Sequence, residues 1–593
     1  MATNEPVWDI SQLVETTDTS SILDKLDSMV ADAKKLHEKY HGKTASLDAK
    51  SVLEFLQARD DHYLKFEAPV LYCQLKYLAD STDPIAKQLN GASRRASVQA
   101  NQALAFIDIE LGKLLVAKPS LVSDPVLAEF RHYLERKLRR SPHVLLETEE
   151  RLIIAKNKNG ISAWQMLQSE WLSTRTFEFE VDSAKRTMPY GEIVGYFRSP
   201  NRELRGRSHQ TVYEGLGKDE VLFASAIRSI CDDYLLMCWW RKYPTTMSPS
   251  LIDNDVDQKT INSLMLVVLR NLGLYRRYLE VKARLMGLDK LANYDILAPL
   301  PITPETRYGW QEARNEITTS YNRFDREVGS WIKEMYDMRH IDGQVRKGKR
   351  AGAFSSTWIG GKSAYVSQSF HGTVGDLYTL AHELGHAIHD YLGTRAQKPC
   401  NLEIGNCIAE TGSIFGELLL TDRLLSKPKS RADKQAILAA ILDEFGVTVF
   451  RVSARFLFEQ SLYDTIENSG FLDGDTIARL WIEARDKIYG NSVDWLEVMK
   501  WEWTVQLHYF KADFRFYNYP YVFAQLFVFT LYQLYKEQGA TFVPKLKRLL
   551  AAGSSKSPHE LANEIGLDIT DQAFWQKGIK QAQELIEALE QTL

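Results

Sequence analysis

His382 and His386, with Glu383 beside the first of them, are the residues whose types and spacing point most directly to chemistry. Residues four apart lie on one face of an α-helix, so both imidazoles can bind a single metal ion. Glu383 lies one step around the helix, where its carboxylate can accept a proton from an attacking water. This H-E-x-x-H pattern predicts metal-assisted hydrolysis of a peptide bond. A chance match is the alternative, and the residues that follow argue against it.

A catalytic zinc ion needs a third protein ligand and an open position. A histidine ligand soon after the motif is excluded, because His389 and Leu392 stand where that variant needs glycine and histidine. The acidic candidates in the next segment are Glu403, Glu410 and Glu417. Glu410 and Glu417 are seven residues apart and share a helix face, so one could support the other. We expect Glu410 to be the ligand, Glu417 to stand behind the ligands or to have a structural role, and Glu403 to be solvated. His389 lies about 10 Å along the helix from the first histidine, so we expect it to pack or hydrogen-bond instead.

Helical periodicity dominates the chain and predicts a mostly α fold. Long amphipathic helices with few interior breakers are predicted over 21–40, 48–78 and 86–116. The alternation of apolar and polar residues at Thr176–Val181 predicts a short strand or hairpin. We place a domain boundary after it, which gives an N-terminal helical domain, 1–198, and a catalytic domain, 199–593.

Two segments with strand signals ahead of the metal helix, 353–359 and 364–370, flank Gly360 and Gly361 and predict a hairpin. An edge strand at this place can pair with a peptide backbone, because main-chain hydrogen bonds hold any sequence in extended form. A small sheet that only supports the helix is an equally good interpretation of the pattern alone.

Composition excludes several classes of protein. The chain has 593 residues, 45% hydrophobic and 25% charged, which is ordinary for a soluble globular protein. A formal net charge of −4 provides no basic field, so no nucleic-acid partner is expected. The start of the chain lacks the features of a secretory signal, and the apolar run 522–531 is too short to cross a bilayer and predicts a buried helix. Five cysteines without C-x-x-C spacing predict free thiols and a cytoplasmic location.

A second group of candidate residues lies near the C-terminus and consists of His508, Tyr517, Tyr519 and Tyr521. Imidazole N–H and tyrosine hydroxyl groups can donate hydrogen bonds to the oxyanion of a tetrahedral intermediate. Aromatic clusters more often fill a core, which is the alternative for these residues.

Several segments, in this order, resemble those of one family of zinc metallopeptidases: 294–301, 348–354, 379–386, 409–417, His508 and 516–523. The family is that of thimet oligopeptidase and oligoendopeptidase F. The closer resemblance is to the oligoendopeptidase F branch, because the tyrosine segment departs from the thimet oligopeptidase spacing. The resemblance covers most of the chain from about residue 199 to the C-terminus.

The resemblance implies a two-lobed helical metallopeptidase with a deep central channel and a small β-sheet beside the metal-binding helix. It implies one Zn²⁺ ion per chain, with Glu410 completing the ligand set, and transition-state stabilisation by His508 and one or more of the three tyrosines. Substrate contacts are predicted just before the β-hairpin and just before the metal helix, at Gly352, Ala353, Phe370, His371 and Gly372. A turn or capping role is an equally good interpretation of His371. The basic run 346–350 could meet a peptide carboxylate, although a solvated loop is the commoner meaning of such a run.

The leading interpretation is a zinc-dependent endopeptidase that hydrolyses internal bonds of short oligopeptides, with Glu383 as general base. Its expected partners are short peptides, and its expected state is a monomer or homodimer without a membrane partner. A helical zinc carboxypeptidase or dipeptidase is the alternative enzyme. An inactive peptidase fold that binds peptides is the alternative from another class, although the ligands and the base are all present.

Overall fold

The computed structural model describes residues 6–301, 307–428, 430–512 and 514–593, without the side chain of residue 469. Most of these residues are helical, which confirms the predicted mostly α fold. The helices of the first half are α1 (Thr19–Tyr40), α2 (Ala49–Ala79), α3 (Pro84–Leu104), α4 (Phe106–Ala117), α5 (Arg131–Arg140), α6 (Glu147–Asn157), α7 (Ile161–Thr174), α8 (Tyr190–Ile193), α9 (Arg202–Gly217), α10 (Glu220–Trp240), α11 (Ser248–Asn254), α12 (Gln258–Arg270) and α13 (Leu272–Leu285). Those of the second half are α14 (Trp310–Phe324), α15 (Arg326–Asp337), α16 (Val374–Ala396), α17 (Asn406–Ala409), α18 (Thr411–Leu425), α19 (Arg431–Phe445), α20 (Val452–Ser469), α21 (Gly474–Tyr489), α22 (Tyr519–Gln538), α23 (Val543–Ala551), α24 (Pro558–Glu564) and α25 (Gln572–Glu590).

The strands of the described residues form three small sheets. The strands are β1 (Thr176–Val181), β2 (Ala184–Pro189), β3 (Leu291–Ala292), β4 (Ile341–Asp342), β5 (Phe354–Trp358), β6 (Ser363–Ser367) and β7 (Val493–Asp494). β1 and β2 form an antiparallel hairpin, and β3 pairs with β7 in parallel. The third sheet has the order β4-β6-β5, with β5 antiparallel to β6. Both predicted hairpins are therefore confirmed.

The chain divides into two compact units, each made of three segments. Unit 1 comprises residues 1–141, 305–427 and 531–568, and unit 2 comprises residues 142–304, 428–530 and 569–593. The boundary predicted from the sequence, between residues 198 and 199, falls inside unit 2. The division into domains 1–198 and 199–593 stays a prediction.

The first two long helices predicted in unit 1 are found as α1 and α2, but the single helix predicted over 86–116 is wrong. The structure divides that span at Ala105 into α3 and α4. The two helices serve different apolar clusters. Leu89 of α3 packs in one cluster with α1 and α2, whereas Phe106 of α4 packs with Phe55 in another. A turn between them lets each helix face its own cluster.

In unit 2 the apolar run 522–531 begins inside α22, and Val522, Phe523 and Leu526 are fully buried there. This confirms the predicted buried helix. No helix in the described part of the chain combines the length and apolarity needed to cross a membrane. The five cysteines carry free thiols, as predicted.

The closest backbone approach that bears on the site is between α16 and α18 of unit 1. A Cβ atom on Gly385 would lie 2.3 Å from the carbonyl oxygen of Gly412, and a Cβ atom on Gly412 would lie 2.3 Å from the carbonyl oxygen of Gly385. One turn later, a Cβ atom on Gly416 would lie 3.0 Å from the carbonyl oxygen of Ala381. Only glycine permits this approach, because it has no Cβ. It brings the segment at the start of α18 against the middle of α16.

Replacing Gly412 by alanine is expected to lower the free energy of unfolding by about 1–3 kcal/mol, because the added methyl group must separate two packed backbones. The matched control is Gly375→Ala, in the first turn of α16, where an added Cβ would lie 3.6 Å from the hydroxyl oxygen of Thr373, an ordinary contact distance. That change should be neutral or slightly stabilising, since alanine is the better helix former. Chemical denaturation of both variants measures the difference, and equal stability of Gly412→Ala and the native chain would contradict the close contact.

Candidate metal centre and active site

Three side chains of unit 1 converge on one point. The Nε2 atoms of His382 and His386 lie 3.3 and 3.2 Å from Oε2 of Glu410. The candidate ligand atoms of the three residues all lie within 4.8 Å of one another. The histidines lie one turn apart on α16, and Glu410 immediately precedes α18. The structure thus brings together the three predicted ligands, and their binding of zinc stays a prediction.

A fourth residue, Glu417, orients the first histidine. Its Oε1 atom lies 2.5 Å from Nδ1 of His382. When Nδ1–H donates to this carboxylate, the lone pair of Nε2 is directed to the point shared with Glu410. This agrees with the expected place of Glu417 behind the ligands, and the structure identifies His382 as the ligand that it contacts.

The segment that carries Glu410 is held by two further contacts. The Ser413 hydroxyl donates to Oε2 of Glu410 at 2.6 Å. His389 is buried and hydrogen-bonds the backbone of Ala409, the residue before Glu410. Burial lowers the pKa of His389 to about 4, so it is neutral at physiological pH. This agrees with the expected packed and hydrogen-bonded histidine.

The charges in the cluster favour a cation. Burial disfavours the charged form of His382, but the hydrogen bond and charge of Glu417, and then the charge of Glu410, raise its pKa to about 9. Burial likewise opposes ionisation of Glu410, but the hydrogen bond and charge of His386 lower its pKa to about 2. The carboxylates therefore hold positive charge at this point. A divalent cation can take the place of the protons on the histidines.

Glu383 is a residue of α16, and its side chain lies against the edge strand β5. It is 8% exposed, and burial raises the pKa of its carboxyl group, against the opposing charges of His382 and His386. The backbone N–H of Ser355 in β5 hydrogen-bonds to this carboxylate. A carboxylate with a raised pKa accepts a proton more readily near neutral pH, which suits a general base.

The turn ahead of α16 contains two of the predicted substrate contacts, His371 and Gly372. Gly372 has φ +81°, and a Cβ atom there would lie 2.7 Å from the carbonyl oxygen of Tyr308, so the position requires glycine. Asp376 accepts the N–H groups of His371 and Thr373, and the Thr373 hydroxyl accepts the N–H of Asp376. These bonds form a capping box that starts the metal helix. Both residues thus have a structural role, and their contact with substrate stays a prediction.

The other three predicted substrate contacts also lie in unit 1. Phe370 is 3% exposed and packs edge-on against Trp310, with ring centroids 5.1 Å apart. Gly352 has φ +86° and is exposed, and half-buried Ala353 follows it directly before β5. The burial of Phe370 is explained by core packing, and a substrate role for it, for Gly352 and for Ala353 stays a prediction.

Two members of the basic run are paired within unit 1. Arg346 donates to both carboxylate oxygens of Asp342, at 2.7 and 2.5 Å. Lys349, whose side chain is 1% exposed, donates to Asp342 at 2.9 Å and to the carbonyl of Gln368 at 2.7 Å. These bonds explain both cations structurally, without a peptide carboxylate.

The histidine and tyrosine region lies in unit 2, where two of the three tyrosines lie near His508 and the third does not. The His508 ring lies 5.9 Å from that of Tyr517 and 6.2 Å from that of Tyr521. Tyr521 is 41% exposed. Tyr519 is fully buried, and its hydroxyl donates to the carbonyl of Ser250 at 3.1 Å and accepts from Asn254 at 3.3 Å. Tyr517 and Tyr521 therefore accompany His508, whereas Tyr519 is engaged elsewhere in unit 2.

The loop around His508 is organised by two buried charges that the sequence analysis missed. Arg515 donates to the carbonyls of His508 and Tyr509. Glu459 accepts the N–H of Phe516 at 2.8 Å. Phe516 has φ +50°, a left-handed conformation that persists in a non-glycine residue only when its surroundings hold it. No sequence pattern signals this arrangement, because Glu459 lies 57 residues before its partner.

The electrostatic environment of His508 is the opposite of that of His382. Burial, and then the positive charges of Arg455, Lys511 and Arg515, lower the pKa of His508 to about 4. The ring is neutral at physiological pH and retains one N–H donor. It can therefore donate a hydrogen bond but cannot supply a full positive charge.

Replacing Glu417 by glutamine is expected to weaken zinc binding about tenfold or more, because the second partner of a ligating histidine sets its orientation and basicity. Competition with a chromophoric chelator measures the zinc dissociation constant. Glu403→Gln is the matched control, since Glu403 is exposed and outside the cluster, and it should bind zinc like the native chain. Zinc affinity of Glu417→Gln within twofold of the control would contradict this role.

Comparison with known proteins identifies the family. The family model described as Peptidase family M3 matches residues 196–581, and that described as Oligopeptidase F matches residues 118–177. Oligopeptidase PepF of Bacillus subtilis is 24% identical over 566 residues, which cover 94% of this chain and 83% of that protein. Group B oligopeptidase PepB of Streptococcus agalactiae is 24% identical over 555 residues, which cover 91% and 90% of the two chains.

Solved structures share the fold. A Chlamydophila abortus protein matches with a TM-score of 0.89 at 21% identity, over 99% of this chain and 98% of that one. Oligoendopeptidase-F from Enterococcus faecium matches with a TM-score of 0.68 at 20% identity, over 97% and 99% of the two chains. Because the M3 model spans more than half of the sequence, the chain belongs to peptidase family M3, in its oligopeptidase F branch, and is a peptidase.

Proposed function

We propose that the chain is a zinc-dependent endopeptidase that hydrolyses internal bonds of short peptides. The observation that carries the proposal is the convergence of His382, His386 and Glu410 with Glu383 beside them on α16. Names of relatives support the substrate class, since several are called oligoendopeptidase F. A cytoplasmic location and a monomeric or homodimeric state stay predictions.

The residues fit one zinc ion per chain. Two imidazole nitrogens and a carboxylate oxygen are a donor set that catalytic zinc takes, and Glu417 provides the hydrogen-bond partner that such histidines require. When bound, zinc supplies Lewis-acid chemistry, because it polarises a carbonyl group and lowers the pKa of water to about 7.

Glu383 acts as the general base. Its carboxylate accepts a proton from the attacking water and returns that proton to the amine that leaves. The raised pKa of this buried carboxyl group favours the acceptance step. The Ser355 N–H fixes the carboxylate and so preserves its direction during the transfer.

The edge strand β5 holds the peptide backbone. In the described residues β5 has a strand neighbour only on the β6 side, so its other edge can accept an extended peptide. Main-chain pairing does not depend on side chains or chain ends. It therefore suits hydrolysis of internal bonds in varied sequences.

His508, with Tyr517 or Tyr521, donates hydrogen bonds to the oxyanion of the transition state. The proposal rests on the family resemblance and on the neutral N–H donor that the lowered pKa of His508 provides. Tyr519 is the least suited of the three tyrosines, because its hydroxyl is buried and bonded to Ser250 and Asn254.

Replacement of Glu383 by glutamine is expected to reduce kcat about 10²–10⁴-fold, because the proton acceptor is lost while the shape of the site is retained. The substrate is a short internally quenched peptide blocked at both ends, and the zinc content of both proteins is measured. Cleavage by the native chain alone, at equal zinc content, is the expected result. If the native chain cleaves only after the blocked C-terminus is freed, it is a carboxypeptidase, and if a zinc-loaded chain cleaves neither peptide, it only binds peptides.

A tyrosine-to-phenylalanine series separates catalytic from structural hydroxyl groups. Loss of an oxyanion donor should reduce kcat about 100-fold in Tyr517→Phe or Tyr521→Phe and leave the zinc content unchanged. Tyr519→Phe should instead lower the free energy of unfolding by about 1–3 kcal/mol, because buried partners lose their bond. Unchanged kcat in both of the first two variants would remove tyrosine from the transition state.

A further inference from the structure

The tip of the β5–β6 hairpin is held by a carboxylate from a distant part of unit 1. Glu67 of α2 accepts the N–H of Ile359 at 2.6 Å and the N–H of Gly360 at 2.9 Å. These two residues follow β5 directly. One side chain therefore satisfies two consecutive donors of a turn that lies 292 residues away in the sequence.

A second side chain holds the other half of the turn. Arg395 of α16 donates to the carbonyl of Lys362 at 2.5 Å. Lys362 has φ +51°, so the turn includes a residue in the left-handed region that external contacts must stabilise. The hairpin tip is thus fixed between α2 and α16.

The pairing of β6 determines which groups of β5 face outward. The N–H of Val366, opposite Ser355, bonds to the carbonyl of His340 on the β4 side. Successive residues of a strand direct their main-chain groups to opposite edges. Ser355 and Thr357 therefore direct theirs away from β6, and the N–H of Ser355 is the group that meets Glu383.

The outward edge of β5 is consequently held at both ends. Glu383 contacts it at Ser355, and Glu67 holds it just beyond Trp358. Between them lies Thr357, whose hydroxyl bonds to Asp390 of α16. This side-chain bond orients the strand on the metal helix and leaves the outward main-chain groups of Thr357 for another strand.

We propose that Glu67 is a positioning residue for the substrate: it fixes β5 so that the outward main-chain groups of Thr357, together with the carbonyl of Ser355, pair with the peptide backbone beside Glu383. The inference rests on the proposed peptidase function of this edge. It assigns a role to a residue that does not touch substrate and that lies outside the family segments identified in the sequence. Its loss should weaken peptide binding without changing the metal centre.

The test measures peptide affinity, which does not require turnover. Fluorescence anisotropy gives the dissociation constant of a labelled, end-blocked peptide for Glu383→Gln, alone and combined with Glu67→Ala or Glu67→Gln. The same measurement is made with a set of analogues, each N-methylated at one backbone nitrogen. Glu54→Gln is the matched control, because Glu54 is exposed on the same helix. Zinc content and thermal unfolding are recorded for every protein.

We expect Glu67→Ala to weaken binding of the parent peptide about tenfold, as loss of one or two main-chain hydrogen bonds would. In the protein that keeps Glu67, at least one N-methylated analogue should bind about tenfold more weakly than the parent peptide. Much of that difference should vanish in Glu67→Ala. The peptide affinity of Glu67→Gln, which keeps one acceptor oxygen, should lie between that of the protein with Glu67 and that of Glu67→Ala. The affinity of Glu54→Gln should equal that of its parent.

Three results would overturn the proposal: unchanged affinity in Glu67→Ala, an equal N-methyl penalty with and without Glu67, or weaker binding that accompanies loss of zinc. If Glu67→Ala does not fold, the comparison of Glu67→Gln with Glu54→Gln decides. Failure of the proposed function gives a different pattern. The native chain with zinc then leaves the peptide uncleaved, although the effect of backbone N-methylation on binding still depends on Glu67.

Discussion

The site depends on the glycine contact between α16 and α18. Gly385 and Gly412 let the two backbones meet at a distance that any side chain would prevent. Glu410 lies just before the contact, and Glu417 lies one and a half turns beyond it. The same contact between the helices therefore places both carboxylates beside the two histidines. Glu410 reaches the Nε2 atoms of both histidines, and Glu417 reaches the remaining nitrogen of His382. The close contact of the two backbones thus determines where the side chains of the candidate ligands lie.

Partial burial then gives the cluster its chemical character. Carboxylates and imidazoles interact more strongly where water is scarce, so Glu417 and Glu410 raise the pKa of His382, whereas His386 and His382 lower that of Glu410. Glu383 differs from Glu410 although both are beside the histidines. Its side chain is less exposed than that of Glu410, its carboxylate contacts a strand N–H, and its pKa is raised rather than lowered. Two glutamates on neighbouring elements are therefore suited to two tasks, binding a cation and accepting a proton.

The two units supply different kinds of candidate groups. Unit 1 carries the metal cluster and the edge strand, whereas unit 2 carries the neutral His508 with Tyr517 and Tyr521. Helix geometry explains why the tyrosines differ. Residues two apart on a helix point in nearly opposite directions, so Tyr519 and Tyr521 at the start of α22 cannot share a face. One is in the core and the other is exposed.

The sequence by itself determined the features that depend on local spacing. The i, i+4 histidines, the adjacent glutamate, the two hairpins and most of the long helices follow from periods of 3.6 and 2 residues and from turn residues. The choice of Glu410 also came from sequence, through the resemblance of its segment to the third-ligand helix of the family. The break at Ala105 was missed, because both parts of the span have helical periodicity and only their packing partners differ.

Only the tertiary structure decided which distant groups meet. Glu417 hydrogen-bonds to His382, Glu459 fixes the loop at Phe516, and Glu67 holds a turn from 292 residues away. The basic residues Arg346 and Lys349 are paired with Asp342. Spacing along a chain constrains only neighbours on the same element. A carboxylate that bonds a backbone N–H or an imidazole on another element is chosen by how the elements pack, and a single sequence carries no periodic signal of that choice.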